Sequence, residues 1–312
     1  MRPTRLAVTA ALLVSVSACS GGESASTFYS IGTGGTGGVY YPLGGALAAQ
    51  LSAVDSTARY TAEVTGGSVE NVNRVVAGQI DLGFTLAISA YEAYHNGIDG
   101  GAPASDLRIV APLYPNLVHV LAAEGSGIES VADFAGRRVS VGSAGSGTEQ
   151  TAQQILAAHG LSYDDLSVQY LSFSESAAAL RDGALDAAIL SVGFPAAAVL
   201  EATTAGGVRL LALDGPGRDA LLDAHPYYDT GSIPSGAYPG VDAPIPTVAM
   251  NNWIVGSAGL DASVVGHLMT LLQDSPDALV RVHEMARQID LAKLGNAPIP
   301  LHAAAERFAP GG

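Results

Sequence analysis

Apolar and polar positions along this chain change period repeatedly. An apolar run at 28–31, FYSI, reads as a strand. Val39, Leu43, Leu47 and Leu51 then recur at helical spacing, which predicts a helix over 39–53. Pro42 sits in its first turn, where a missing N–H costs little. YTAEVT (60–65) reads as a strand, Ser68 as the cap of a helix carrying Val69, Val72, Val75 and Val76, and Gly78 as its end. Ile80 to Phe84 predicts the next strand, finishing at Thr85.

The same order returns later. RRVSVG (137–142) reads as a strand, and SAGSGTE follows it. Ser146 and Glu149 have capping-box spacing for a helix that continues through 151–158 and stops near Gly160. LSVQYL (166–171) is a strand, Ser174 caps a helix ending at Gly183, and 185–190 is a strand finishing at Ser191. AGQIDLGFT (77–85) and DGALDAAILS (182–191) are therefore counterparts, each preceded by a glycine-rich loop that opens a helix. Two matches in one order predict two lobes of one architecture, with parallel sheets covered by helices. The apolar stretches 109–123 and 247–257 read as crossovers between lobes. The segment 214–246, rich in Pro, Gly, Tyr and Asp, reads as a surface excursion, and 261–273 and 276–291 as closing helices.

Composition narrows the function. The chain has 312 residues, 48% of them hydrophobic and 14% charged, and a formal net charge of −15. That length suits two units of about 150 residues each. Such acidity does not neutralise phosphates, so nucleic acid is excluded as a partner. At the start, Arg2 and Arg5 precede an apolar run from about 6 to 17, the pattern of a signal peptide over 1–18. Val16-Ser17-Ala18-Cys19 resembles the lipobox of bacterial lipoproteins, in which the cysteine is acylated. Cys19 is the only cysteine, which excludes disulfides within the chain and thiolate metal sites. Residues 19–27 then form the lipidated N-terminus and tether.

The two loops carry the candidate chemistry. A glycine-rich turn at a helix N-terminus presents unpaired N–H groups and the positive end of the helix dipole, which together seat an anion. Glycine allows close approach or positive φ there. Gly32-Thr33-Gly34-Gly35-Thr36-Gly37 also matches the dinucleotide fingerprint G-x-G-x-x-G, but no acidic residue stands clearly at the end of the next strand. GSAGSGTE has Thr148 where a P-loop needs lysine; no G-x-S-x-G elbow and no H-x-x-x-H pair occurs. No metal, cofactor or catalytic residue is implied. Glu149 and Glu175, the acids nearest the loops, read as first-turn helix acids. Arg74, Arg137, Arg138 and Arg181 read as solvated cations, His119 as a satisfied core histidine, and Trp253 as packing in a crossover.

Seven stretches resemble the TAXI group of solute-binding proteins, which serve TRAP transporters. They are IGTGGTGGVYYPLGGALA (31–48), TGGSVENVNRVVAGQIDLGFT (65–85), AYEAYHNG (90–97), LYPNLVHVLA (113–122), VSVGSAGSGTEQTAQQIL (139–156), LSFSESAAALRDGALDAAIL (171–190) and PLHAAAERF (300–308). The resemblance implies an α/β, two-lobe periplasmic-binding-protein fold, type II-like, with mostly parallel sheets flanked by helices and a hinge between lobes. Lobe 1 would be 28–115 plus 247–308, and lobe 2 would be 116–246 with its excursion at 214–246. It implies a monomeric, membrane-anchored, extracytoplasmic lipoprotein that passes a small organic anion to a TRAP permease driven by an ion gradient. The anion would be a glutamate-like amino acid, dicarboxylate or 2-oxo acid. Carried over to this chain, the ligand groups would be Thr36, Gly37, Gly38, Tyr40, Gly67, Ser68, Thr85, Tyr114, Ser143, Ser146, Gly147, Thr148 and Gly193. The chain departs from the family pattern at Leu86-Ala87, at Phe194 and at His302-Ala303-Ala304. A sensor for a membrane receptor, or an exported enzyme using the same cleft, are the competing readings.

Overall fold

A computed structural model describes residues 26–98, 100–274 and 276–311. The expected signal segment, Cys19 and the tether as far as residue 25 lie outside the described residues. Ten strands join in one sheet. The apolar run at the start becomes β1 (Thr27–Gly32), which pairs in parallel with β2 (Ala58–Glu63) and β3 (Leu82–Leu86). The later counterpart forms β5 (Arg138–Ser140), parallel to β6 (Ser167–Gln169) and β7 (Ala187–Val192). Between these parallel wings lie two long antiparallel strands, β4 (Leu107–Ala123) and β10 (Ile245–Ser257), so the order reads β2-β1-β3-β10-β4-β7-β5-β6.

Both long strands change partner along their length. β4 pairs with β10 up to Leu117, and from there with β7 and β8 (Val208–Leu211). β10 pairs with β9 (Tyr228–Ile233) through Met250 and with β3 from Asn252. The sheet is thus parallel within each wing and antiparallel only where the crossovers run. Helices α1 (Tyr40–Val54), α2 (Ser68–Val76), α3 (Ala87–Asn96), α4 (Gly147–Ala158), α5 (Phe173–Arg181), α6 (Ala197–Thr204), α7 (Gly215–Ala224), α8 (Ala262–Asp274), α9 (Pro276–Val280) and α10 (Ala303–Glu306) flank it. Among the described residues no helix is long and apolar enough to cross a membrane.

Several local expectations need correction. Gly67, not Ser68, is the N-cap of α2; the Ser68 hydroxyl instead accepts the Leu86 N–H at 3.0 Å. Ser172 caps α5 through a reciprocal box with Glu175, which leaves Ser174 free in the first turn. Ser146 caps α4 by accepting the Glu149 N–H, but Glu149 reaches Gly145 N–H at 2.8 Å rather than closing a box. The segment 214–246 is more than an excursion: α7 packs on α4, β9 joins the sheet, and Tyr228 and Tyr238 are buried. Beyond α9 the chain turns through short 3-10 segments instead of one helix to 291.

Tyr238 shows how that segment is held. Its hydroxyl donates to His119 Nε2 at 3.0 Å and accepts the Ala196 N–H at 3.0 Å, while His119 Nδ1 donates to Leu117 O at 3.0 Å. His119 is fully buried and both ring nitrogens are used, as a core histidine requires. Burial pushes its pKa down to about 4. Between pH 6.5 and 4 the unfolded chain binds a proton that the folded protein refuses, so stability falls as pH is lowered through that window. Urea unfolding from pH 7.5 to 4.5 will show this decline, up to about 3 kcal/mol at its acid end. A His119→Gln variant will lose most of that slope.

Candidate functional site

Four helix N-termini converge on one cavity of about 290 Å³ between the two parallel wings. The β1–α1 loop and the start of α1 line it on one side with Thr36, Gly37, Gly38 and Tyr40, beside Gly67 and Ser68 of the α2 start. Opposite stand Ser143, Ser146, Gly147 and Thr148, and between the two sides Tyr114 comes from β4. Eleven of the thirteen expected residues therefore line one space. Thr85 does not: β3 runs one residue further than expected, and Thr85 is buried in the sheet with its hydroxyl on Leu86 O at 3.1 Å. Gly193 does not either. A Cβ there would lie 2.8 Å from the Tyr114 ring, so its bareness makes room for a residue that lines the cavity.

The structure adds Asn116, Ser172, Phe173, Ser174, Ser191 and Val192 to the lining. Phe173, not Phe194, is the bulky ring at the cavity, and exposed Tyr41 lies outside it. Asn116 carried a sequence signal: it is a lone amide inside an apolar crossover. Asn252, together with Asn251, interrupts the apolar run of β10 in the same way. Its Nδ2 donates to Tyr114 O at 2.8 Å and to Asn116 Oδ1 at 2.7 Å, and its Oδ1 accepts the Tyr40 hydroxyl. Asn116 Nδ2 in turn donates to Ser191 O at 2.8 Å. Two buried amides thus link α1, both crossovers and β7 beneath the cavity.

The glycines of the first loop supply space rather than unusual backbone, since none has positive φ. A Cβ on Gly37 would lie 2.5 Å from Ser174 Oγ across the cavity. The two sides also meet directly: Ala198 N–H donates to Gly37 O at 3.2 Å, and Glu70 N–H to Gly145 O at 3.1 Å. The second loop does use positive φ, at Gly142 and Gly145.

The chain caps two of the four helix starts with serines and places an acid in the first turn of a third. Glu70 accepts the Gly66 N–H at 2.7 Å beside α2, Ser146 and Glu149 cap α4, and Ser172 and Glu175 cap α5. The start of α1 has neither a side-chain cap nor an acid in its first turn, whereas α2, also without a side-chain cap, has Glu70 there. The N–H groups of α1 keep the positive end of the dipole open. Nearby, the Tyr114 hydroxyl is fully buried without a hydrogen-bond partner, and burial raises its pKa well above the usual tyrosine value. It remains a proton donor. Tyr40 is likewise raised by burial. Among the described residues no Asp, Glu, His, Lys or Arg lines the cavity. Arg74, Arg138 and Arg181 form ion pairs away from it.

The profile of the NMT1-like family matches residues 31–309. A putative aliphatic sulfonates-binding protein of Escherichia coli (strain K12) is 33% identical over 136 residues, which are 43% of this chain and 39% of that protein. The match therefore spans less than half the length of that relative. The crystal structure of the periplasmic aliphatic sulphonate binding protein of Escherichia coli superposes with a TM-score of 0.50 at 20% identity, covering 90% of this chain and 82% of that one. An ancestral arginine-binding protein bound to arginine gives 0.52 at 15% identity, covering 85% and 99%. These likenesses establish the periplasmic-binding-protein fold, and each relative is named for binding a solute, none for a reaction.

Two substitutions probe this geometry. Asn252→Ala strips Tyr40 and Asn116 of buried partners and will cost about 2–4 kcal/mol by denaturant unfolding. Gly37→Val will keep the fold by circular dichroism but hold the two sides apart, seen as a larger radius of gyration in small-angle scattering.

Proposed function

The chain belongs to the NMT1-like family, and on that premise we propose that it is an extracytoplasmic solute-binding protein whose cleft captures a small organic anion with one charge and an apolar body. The observation that carries this reading is the Tyr114 hydroxyl, a buried donor without an acceptor, in a cavity with no charged side chain. The anionic head docks on the open N–H groups of α1 and accepts from Tyr114; the body lies against Phe173, Val39 and Val192. Charge-assisted bonds to preset backbone donors replace water without a buried cation.

The lining also sets the charge of the ligand. A dicarboxylate would leave its second carboxylate without a countercharge, and a glutamate-like amino acid would leave its ammonium without a carboxylate partner; each buried unpaired charge costs several kcal/mol. A sulfonate or monocarboxylate avoids both. The E. coli relative named for aliphatic sulfonates supports the sulfonate head.

In this reading residues 28–115 with 247–308 form one lobe and 116–246 the other, and the partner changes in β4 and β10 mark the hinge. Capture follows closure of the lobes. The filled protein then delivers its solute to a membrane permease; the TAXI-like motifs make a TRAP-type permease our proposed recipient. Acylated Cys19 would hold the protein at the membrane.

Calorimetric titration of the mature protein with ethanesulfonate, butanesulfonate, butyrate, succinate and glutamate tests the assignment. The monoanions will bind and succinate and glutamate will not; the reverse order overturns it. Tyr114→Phe will weaken monoanion binding by about 10- to 100-fold, the worth of one hydrogen bond to a charged group, without lowering the melting temperature of the free protein.

A further inference from the structure

A second cavity, of about 510 Å³, lies against β10 on the face opposite the cleft. Asn252 points its amide to Tyr40, Tyr114 and Asn116, whereas its neighbours Asn251 and Trp253 line this second space. That is the alternation of a strand. Tyr91 of α3 and Tyr227 beside β9 contribute aromatic walls, with ring centroids 5.7 Å apart. Lys293 and Asp229 contribute the charges.

Lys293 is the only lysine in the chain. It is half-buried, and burial lowers its pKa despite the opposing pull of Asp290 and Asp229. Its ammonium donates to Asn251 Oδ1 at 2.6 Å and belongs to none of the ion pairs among the described residues. Trp253, the only tryptophan, is 2% exposed and its indole N–H has no acceptor. Asp229 is exposed at the rim and likewise belongs to none of those ion pairs.

The pattern is the inverse of the cleft: an ammonium and a carboxylate that do not pair with each other, in one aromatic-walled space. With Asp290 nearby the local charge is net negative, so a simple anion is disfavoured. A molecule carrying both signs meets both groups. We propose that this cavity is a second ligand site, for a small zwitterion of the α-amino acid class with an apolar side chain. Its carboxylate lies on Lys293, its ammonium on Asp229 and the tyrosine faces, and its side chain among Ala87, Pro226 and Pro298. The proposal does not depend on the ligand of the cleft.

Trp253 is a built-in reporter, because it is the sole indole and part of the wall. The experiment is a fluorescence titration of the full mature chain carrying Tyr114→Phe, which weakens the cleft. The probes are L-valine, L-leucine and L-phenylalanine, with 4-methylpentanoate and 3-methylbutylamine as leucine lacking one charge. At least one amino acid will give a saturable change, at least about tenfold tighter than either single-charge analogue. Lys293→Gln and Asp229→Asn will each weaken it by about tenfold or more. Absence of any saturable response overturns the site. So does equal binding of a single-charge analogue that Lys293→Gln or Asp229→Asn weakens, or an amino-acid response that both substitutions leave unchanged. Titration of Lys293→Gln with butanesulfonate keeps the two readings apart: the cleft will bind it normally whatever the second cavity does.

Discussion

One buried carboxamide sets the floor of the cleft. Asn252 is fully buried in a crossover strand, and its amide is used on both sides: donating to the β4 backbone and to Asn116, and accepting from the first-turn tyrosine of α1. A buried amide tolerates only the arrangement that satisfies it. The positions of Tyr40, Tyr114 and Asn116, and through Asn116 the end of β7, follow from that demand. The ring of Tyr114 then needs the bare backbone of Gly193 behind it. The cleft is accurate because its floor is polar and fully paired, with the Tyr114 hydroxyl as the exception left for something else.

The rims follow another rule, competition for helix starts. Four helices point their N-termini at one space, yet α4 and α5 are capped by their own serines and α2 carries an acid in its first turn. The first-turn acids lie close to the cleft but are bonded to loop N–H groups, so they shape the loops and add no free acceptor. On the proposed reading, this division decides which of the helix starts is left open to the solute.

Much of this was legible in the residues. The periods of the apolar positions located both parallel wings and both crossovers, because those strands and helices bury one face each. The glycine loops located most of the cleft, because a bare backbone before a helix has few other uses. What escaped depended on contacts distant in sequence. Ser68 and Ser174 looked like caps because caps are local, but Gly67 and Ser172 hold those positions and the two hydroxyls turn elsewhere. Thr85 looked like a strand end, and one more residue of pairing with β10 buried it. β9 was hidden in a stretch whose Pro and Gly content reads as loop, since its pairing partner lies across a turn in β10. The amides of Asn116 and Asn252 were visible as interruptions of apolar runs, but their mutual bond was not.

Among the described residues the cleft lining holds no Asp, Glu, His, Lys or Arg. Backbone amides and hydroxyls keep their character from strong acid to strong alkali, and the two tyrosines there are shifted further from neutrality by burial. A lining of this make does not itself register the acidity of its surroundings, whereas His119 in the core does. On the proposed reading, the pH dependence of capture follows the solute's own ionisation, and a sulfonate has none across that range.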